Sequence, residues 1–320
     1  MKEPLQASEG ASCMSISANK NYIVGTRGSP LALAQTNLVV AALNERFPET
    51  KFEIKVITTV GDKPNRHINA SGKDSFTGTI DEALLGGEVD FAVHSLKDVP
   101  AEQKGVEIAA FPKRDSPMDA LVSKEARTRF FELPEGACIG TSSARRAVQL
   151  KAARPDLNIL EVTGNIQTRL SKLREPNSKF DAMVLAEAGL RRLGLCNEVN
   201  EILSTRVMLP APGQGCLAVA VRKDDQTTRR LVSGIDDPDT RLVAICERSF
   251  SRALGGGCDL PVAALAKVIA TNGRRKILLE GLVKSPNPRS ELPARGSEEG
   301  ELSEAENVGK TLAAKLGEFA

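Results

Sequence analysis

Tryptophan is absent from this 320-residue chain, which has one tyrosine and two histidines. Aromatic residues make up only 3% of the sequence, which argues against a surface that stacks nucleic-acid bases. The 43 Lys and Arg nearly balance the 41 Asp and Glu, so a net charge of +2 favours neither nucleic-acid nor membrane-surface binding. His67 and His94 lie in no recognisable ligand or triad motif, so we expect neither a metal site nor a Ser-His-Asp triad.

Long apolar runs are also missing, since no stretch of about 18 apolar residues could cross a membrane. The first 20 residues contain two acidic residues and no apolar core. We therefore expect neither a secretory signal nor a transit peptide there, and a flexible N-terminus over 1–19. The six cysteines, at positions 13, 138, 196, 216, 246 and 258, show no CxxC spacing, which indicates reduced thiols and a cytoplasmic protein.

What the chain does contain is a globular composition, with 41% hydrophobic and 26% charged residues, and enough length for two or three domains. A strand, a tight polar turn and a helix recur along it, which predicts parallel sheets with helices on both faces. Ser29 suits the N-cap and Pro30 the first position of one such helix. Strands are predicted over 22–26, 52–58, 89–94, 138–141, 159–162 and 180–185.

From residue 236 the pattern changes to that of a smaller α+β domain. It predicts a helix over 240–250, strands over 262–270 and 276–283, and a helical tail from 301. The Pro-, Ser- and Glu-rich piece 285–300 is interpreted as an exposed hairpin loop.

Arginines gather at the predicted strand-to-helix turns, at positions 27, 145, 146 and 169. Free N–H groups at helix N-termini together with guanidinium forks suit a ligand with several carboxylates or phosphates. The alternative for each one is a solvated arginine on a helix surface. For all four together that alternative is weaker, because cations at helix N-termini oppose the dipole and need a compensating anion.

Three further segments carry candidate chemistry. After a strand, Lys97 could hold an anion and Asp98 could act as an acid or base. The alternative is that the two form a surface ion pair in a turn. Lys73, in the loop 71–76, could contact a ligand as part of a lid or lie in a mobile surface loop. Cys258 follows three glycines, which leaves a nucleophilic or modified thiol accessible; a buried structural cysteine is the alternative. The segment 209–215 is interpreted as a rigid crossover between domains.

Six motifs at these positions resemble the hydroxymethylbilane synthase family, also called porphobilinogen deaminase. They occur in order and in register between about residues 22 and 261. The motifs are GTRGSPLALAQT (25–36), AVHSLKDVP (92–100), GTSSARRAVQL (140–150), GNIQTRLSKL (164–173), LPAPGQG (209–215) and ERSFSRALGGGCDLP (247–261).

The resemblance implies an α/β protein of three domains: two periplasmic-binding-protein-like α/β lobes and a small α+β C-terminal domain. In this sequence it places the first domain at 20–115 plus 216–235 and the second at 116–215. The third, at 236–320, carries the cofactor cysteine.

The resemblance also implies a transferase that condenses four porphobilinogen molecules, each losing ammonia, into linear hydroxymethylbilane for tetrapyrrole synthesis. It implies a monomer whose primer is a dipyrromethane cofactor joined by a thioether to Cys258. Asp98 matches the catalytic aspartate, which stabilises pyrrole N–H groups and cationic intermediates. Implied cofactor contacts are Lys97, Ser143, Arg145, Arg146 and Arg169, and implied substrate contacts are Arg27, Ser29, Gln35, Lys73 and Arg192.

Two departures from the family pattern bear on activity. Thr163 stands where the family usually has arginine, which removes one charged contact worth about 1.5–3 kcal/mol. The loop 71–79 also differs from its usual form. They leave two alternatives: a low-activity tetrapyrrole-binding paralogue, and a binding protein for anionic small molecules with the same two-lobe fold. Measurement of product formation from porphobilinogen distinguishes the low-activity paralogue from the enzyme. A binding protein of this fold would normally be exported, and it would have no use for Cys258 together with Asp98.

Overall fold

The computed structural model of the chain describes residues 20–58, 77–100, 103–255, 261–271, 273–284 and 292–317. Within these segments the strands are β1 (Asn21–Arg27), β2 (Lys51–Ile57), β3 (Phe91–Ser95), β4 (Val106–Ala110), β5 (Asp119–Ser123), β6 (Cys138–Gly140), β7 (Asn158–Leu160), β8 (Ala182–Ala186), β9 (Glu201–Ile202), β10 (Leu217–Arg222), β11 (Ala263–Thr271), β12 (Arg274–Val283) and β13 (Ala294–Glu301). The helices are α1 (Pro30–Arg46), α2 (Gly78–Leu85), α3 (Ala144–Ala153), α4 (Ile166–Arg174), α5 (Glu187–Arg192), α6 (Gln226–Ser233), α7 (Pro238–Ala253) and α8 (Ala305–Gly317).

The first lobe is built on a five-stranded sheet in the order β2-β1-β3-β10-β4. β1 runs parallel to β2 and β3, but β10 runs antiparallel to both β3 and β4. Tyr22 and Phe91 are fully buried on it. The prediction of purely parallel sheets is wrong here, because β10 enters from the second lobe and not through a helical crossover from its neighbour.

The second lobe repeats the mixed arrangement, with the order β7-β6-β8-β5-β9. β6 runs parallel to β7 and β8, while β5 runs antiparallel to β8 and β9. Its core includes Phe130, Ile139 and Leu150, none of which is exposed. Every strand of this sheet comes from the continuous stretch 119–202.

Helix starts after β1, β6 and β7 are set by capping side chains. The Ser29 hydroxyl accepts from the Ala32 N–H at 3.2 Å, and Pro30 is the first residue of α1, as the sequence predicts. Ser143 caps α3 and Asn165 caps α4 in the same way. These caps bring three helix N-termini to the carboxyl ends of parallel strands, where ligands bind in such sheets.

The C-terminal unit is an antiparallel sheet, β11-β12-β13, packed against α7 and α8. The prediction of a hairpin loop over 285–300 is wrong for its second half, since β13 occupies that stretch; residues 285–291 lie outside the described segments. Small residues on one face conceal this strand in the sequence. A Cβ on Gly300 would lie 2.5 Å from a Val308 methyl, so the helix packs directly on the strand.

Glu247 of α7 joins the three units from a fully buried position. Its carboxylate accepts from both terminal nitrogens of Arg114, at 2.7 and 3.1 Å. It also accepts the backbone N–H groups of Gly213 at 2.6 Å and Ala266 at 2.8 Å. Every lone-pair direction of this buried charge is therefore used, which is the condition for a stabilising buried ion pair.

The next residue of α7, Arg248, donates to the carbonyls of Val99 at 3.0 Å and Pro100 at 2.7 Å. The helix that precedes Cys258 in the sequence thus hydrogen-bonds to the backbone just after Asp98.

Within the described segments, no helix is both long and apolar enough to cross a membrane. The predicted domain limits stay a prediction.

Candidate functional site

Lys97 and Asp98 lie in a 3₁₀ turn, Leu96–Asp98, directly after β3. Leu96 is buried, and its N–H donates to the Cys216 carbonyl at 3.1 Å, which fixes the turn to β10. With Leu96 anchored inward, Lys97 and Asp98 project to the open side. The turn therefore presents an ammonium and a carboxylate at the carboxyl end of a central strand.

Arg145 and Arg146, in the first turn of α3, share the carboxylate of Asp119 at the start of β5. Arg145 Nη1 lies 2.8 Å from Asp119 Oδ2, and Arg146 Nη2 lies 2.6 Å from Oδ1. Burial alone would raise the pKa of Asp119, but the two guanidiniums outweigh it and hold that pKa well below its usual range. Asp119 is thus the compensating anion that cations at a helix N-terminus need.

One carboxylate does not balance two guanidiniums. Burial lowers the pKa of Arg145, and the charge of Arg146 lowers it further, against the opposing effect of Asp119. Arg145 Nε is buried without a hydrogen-bond partner among the described residues. The cluster therefore keeps a net positive charge that an anionic ligand could neutralise.

Arg169 adds a further cation to this side. Its Nε donates to the Gly164 carbonyl at 2.8 Å, which folds the side chain back over the start of α4. Burial and the charge of Arg146 both lower the pKa of Arg169. Crowding of like charges in one place, which costs free energy in the empty protein, is typical of an anion-binding site.

Lys97 faces this cluster from the first lobe. Lys97 is exposed as a whole, but its ammonium end lies against protein in the cleft between the lobes, and the resulting partial loss of hydration lowers its pKa to about 8. The carboxylates of Asp98 and Asp119 act to raise this pKa, and the guanidiniums of Arg146 and Arg145 act to lower it. Its Nζ also lies 3.3 Å from Gln214 Oε1. The structure thus brings Lys97, Asp98, Arg145, Arg146 and Arg169 together.

On the first-lobe side, Gln35 is buried, and its Nε2 donates to Ser95 Oγ at 2.8 Å. Arg27 is half-buried at the end of β1, beside His94. Burial, together with the charge of Arg27, lowers the pKa of His94 to about 4, so this imidazole is neutral. The Ser29 hydroxyl caps α1 and can still donate its own hydrogen.

Arg192 points to the segments that connect the lobes. Its Nη2 donates to the Gly215 carbonyl at 2.6 Å, and its Nε lies 3.5 Å from Asp115 Oδ2. Its expected role as a substrate contact stays a prediction. The roles of Cys258 and Lys73 also stay predictions, because both residues lie outside the described segments.

Thr163 is exposed at the mouth of a groove of about 820 Å³. Lys172 Nζ donates to the Thr163 carbonyl at 3.2 Å, so a lysine ammonium lies beside this position. The groove is lined by Glu161, Val162, Thr163, Lys172, Glu175, Asn177, Ser178, Lys179 and Phe180.

Sequence reasoning missed Asp119 and Gln214. The need for an anion beside the turn arginines was recognised, and an aspartate that opens a buried strand is the signal that could have supplied it. Gln214 is 1% exposed within the segment interpreted as only a rigid loop, and nothing in its spacing marks it. Cys216, just before β10, is buried, and burial raises the pKa of its thiol to about 12.

Comparison with known proteins agrees with this geometry. Residues 22–230 match the family described as "Porphobilinogen deaminase, dipyromethane cofactor binding domain", and residues 241–318 match "Porphobilinogen deaminase, C-terminal domain". A porphobilinogen deaminase of Thermus thermophilus is 46% identical over 91% of this chain and 93% of its own. One of Limosilactobacillus reuteri is 44% identical over 92% and 94%.

Among solved structures, the methionine-binding protein MetQ is 12% identical, with a TM-score of 0.42 over 71% of this chain and 94% of its own; the likeness is too distant to carry an argument. The two family matches together span most of the chain, and the relatives are matched along nearly their full length. The resemblance carried by the six motifs, the α/β class and the expected cofactor type are therefore confirmed. The chain belongs to the porphobilinogen deaminase family.

Proposed function

We propose that this protein is a hydroxymethylbilane synthase, a transferase that joins four porphobilinogen molecules head to tail, takes up one water and releases four ammonia molecules and linear hydroxymethylbilane. The observation that supports the proposal is the set of cations from two lobes that face the Lys97 ammonium, next in the chain to the exposed carboxylate of Asp98. Porphobilinogen carries an acetate and a propionate on each ring, so a growing chain needs many positive partners and one group for the reaction itself.

The residues present fit a dipyrromethane cofactor. Its two rings carry four carboxylates, and Lys97, Arg145, Arg146 and Arg169 supply four cations against the single buried carboxylate of Asp119. Ser143 adds a hydroxyl at the N-cap of α3, where the free N–H groups of the helix N-terminus can also bind an anion. When bound through Cys258, the cofactor supplies the pyrrole that accepts the first substrate.

Asp98 is proposed as the catalytic carboxylate. It is exposed in the turn after β3, next in the sequence to Lys97, whose ammonium faces Arg145 and Arg146 of the second lobe. A carboxylate held there can accept the pyrrole N–H and stabilise the positive charge that develops at the methylene carbon of porphobilinogen as ammonia leaves. Because the turn is anchored through Leu96, this charge is positioned before substrate binds.

The incoming substrate is proposed to contact Arg27, Ser29 and Gln35 of the first lobe. Ser29 keeps its donor free while it caps α1, and the buried amide of Gln35 fixes Ser95, which precedes the catalytic turn. Arg192 and Lys73 complete the proposed set. Arg192 is held against the Gly215 carbonyl, so it would act where the lobes are joined.

We also propose a cytoplasmic monomer that uses porphobilinogen and no nucleic acid, with domains limited as the sequence predicts. The small net charge supports the lack of a nucleic-acid partner. The free thiols of Cys138, Cys196, Cys216 and Cys246 suit a reducing compartment. Light scattering on the eluting full chain measures the oligomeric state directly, and a mass twice that of the chain would contradict a monomer.

The test is incubation of the purified full chain with porphobilinogen, followed by measurement of ammonia, hydroxymethylbilane and intact protein mass. We expect one ammonia per porphobilinogen consumed, and a protein mass above the sequence value by one dipyrromethane. Cys258→Ser should lose the added mass, whereas Cys196→Ser, at an exposed cysteine, should keep it. Consumption of porphobilinogen by Cys258→Ser at the wild-type rate would contradict the proposal.

A further inference from the structure

The side-chain amide of Gln214 lies between the cationic groups of the two lobes. Its Nε2 faces three acceptors: the Pro117 carbonyl at 2.7 Å, the Met118 carbonyl at 3.3 Å and Asp119 Oδ1 at 3.1 Å. Only the amino group of the amide can donate to these oxygens, so the orientation of the amide is fixed by its surroundings. Its Oε1 is thereby directed to the Lys97 ammonium, 3.3 Å away.

The backbone around Gln214 belongs to the return segment that joins the second lobe to β10. This segment crosses the outgoing one closely, since the Asp115 N–H donates to the Gly215 carbonyl at 3.3 Å. Gly215 has φ of +85°, and a Cβ there would lie 2.5 Å from the Asp115 carbonyl oxygen. The Gln214 carbonyl accepts from Arg114 Nε at 2.9 Å. Gln214 is therefore held on both its backbone and its side chain where the lobes are joined.

Asp119 contacts both Gln214 and the two arginines of α3. Its Oδ1 accepts from Gln214 Nε2 and from Arg146, and its Oδ2 lies against Arg145. A continuous path of polar contacts thus runs from Lys97 through Gln214 to Asp119 and on to the two arginines. It contains a single neutral link, the amide, which is only 1% exposed.

We propose that Gln214 is a positioning residue that couples the Lys97 ammonium to the Asp119–Arg145–Arg146 cluster, so that the anion-binding groups of the two lobes are set as one unit. The proposal rests on the proposed function, because it assigns these cations to carboxylates of substrate and cofactor. Gln214 acts through Lys97. Its Oε1 favours the charged form of the amine and aims it across the cleft.

The consequence is a specific protonation behaviour of Lys97. The charged groups that face its amine are Asp98 from its own turn and Asp119, Arg145 and Arg146 from the second lobe. Loss of the Gln214 acceptor leaves the ammonium with less compensation, so its pKa should fall. A carboxylate in the same place should raise it. A residue with only a packing role would produce neither shift.

The experiment compares Gln214→Met and Gln214→Glu, which keep the side-chain length, with Gln226→Met and Gln226→Glu at an exposed position of α6. Lysines of the full chain are trace-labelled with acetic anhydride across pH 6–10, and the midpoint for Lys97 is read by mass spectrometry. We expect the midpoint to fall by about one pH unit in Gln214→Met and to rise by about one in Gln214→Glu, as befits one charge-assisted hydrogen bond. Both Gln226 variants should match wild type.

A second readout is kcat/KM for porphobilinogen. In Gln214→Met we expect a roughly threefold loss at pH 7.5, because a fall of about one unit in the Lys97 pKa leaves about a third as much charged amine at that pH. The loss should nearly vanish at pH 6.5, because the lower pH restores the Lys97 charge. A loss of equal size at both pH values, with an unchanged Lys97 midpoint, would overturn the proposal. If Gln214→Met does not fold, an unchanged midpoint in Gln214→Glu overturns it in the same way. The labelling needs no turnover, so failure of the wild type to consume porphobilinogen is a separate result.

Discussion

The two sides of the cleft hold their charges in opposite ways. On the second lobe, Arg145 and Arg146 are only 6% exposed and already bound to a carboxylate of the protein. On the first lobe, Lys97 and Asp98 stand open on a short turn. The buried side is organised before any ligand arrives, and the open side is free to meet a reacting group. If the proposed function holds, ligand binding falls to side chains that the protein already fixes, and the reaction falls to side chains on an exposed turn.

The largest expected effect is that of Asp119→Asn, which removes the one carboxylate from two buried guanidiniums. We expect the free energy of unfolding to fall by about 3 kcal/mol or more, because an uncompensated buried charge remains. Urea denaturation measures it. Asp239→Asn is the control, since that carboxylate pairs with Arg275 where both side chains are more than half exposed, and it should matter little. Equal stability of Asp119→Asn and wild type would remove the distinction between the two sides.

Asp98→Asn tests the open side. We expect kcat/KM for porphobilinogen to drop about 100-fold or more, because a charge aimed at the developing cation is lost. Unfolding should be unchanged, since the side chain is exposed. Asp224→Asn, at another exposed aspartate, is the matched control. Turnover within twofold of wild type would mean that the reaction uses a different group.

The pH dependence sharpens the comparison further. The Lys97 pKa of about 8 means that its positive charge is present below pH 8 and is lost as the pH rises above it. The arginines opposite stay charged throughout this range. We therefore expect kcat/KM to fall above pH 8, by up to about tenfold per pH unit. In Lys97→Arg this fall should disappear; an identical alkaline limb in that variant would assign it to another group.

The smallest effect is expected at Thr163, which is exposed on the loop before α4. Thr163→Arg should raise kcat/KM by only about tenfold, the low end for one added charge-assisted hydrogen bond to a carboxylate, because the Lys172 ammonium already lies beside this position. Thr163→Gln, which is long but neutral, is the control. If both variants behave like wild type, a further cation at this position does not help. Lys172, which already donates to the Thr163 carbonyl, would then be the cation that serves there.

Much of this architecture could be predicted from the sequence. Ser29 and Pro30 mark the start of α1 by local capping chemistry, and the turn arginines are found by their position after buried strands. Such signals lie within a few residues of one another. The need for an anion beside Arg145 and Arg146 was also deducible, because the helix dipole opposes them.

The direction of β10 and the identity of the partners could not be predicted in this way. β10 pairs with strands more than 100 residues earlier in the chain, and no local pattern encodes that direction. Asp119 and Gln214 meet across 95 residues, through a contact that exists only once both lobes are folded. β13 was hidden because its inward positions are two glycines, an alanine and a glutamate, which leave no hydrophobic alternation.

The position of β10 also sets an order for biosynthesis. It lies in the interior of the first sheet, between β3 and β4, yet it is translated after the whole of the second sheet. The first lobe leaves the ribosome first, but it cannot complete its sheet until β10 has been translated. Until then β3 and β4 lack the strand that lies between them. The second lobe, drawn from one continuous stretch, can complete its sheet during synthesis, and slow closure of the first lobe is the step at which a nascent chain is most exposed to aggregation.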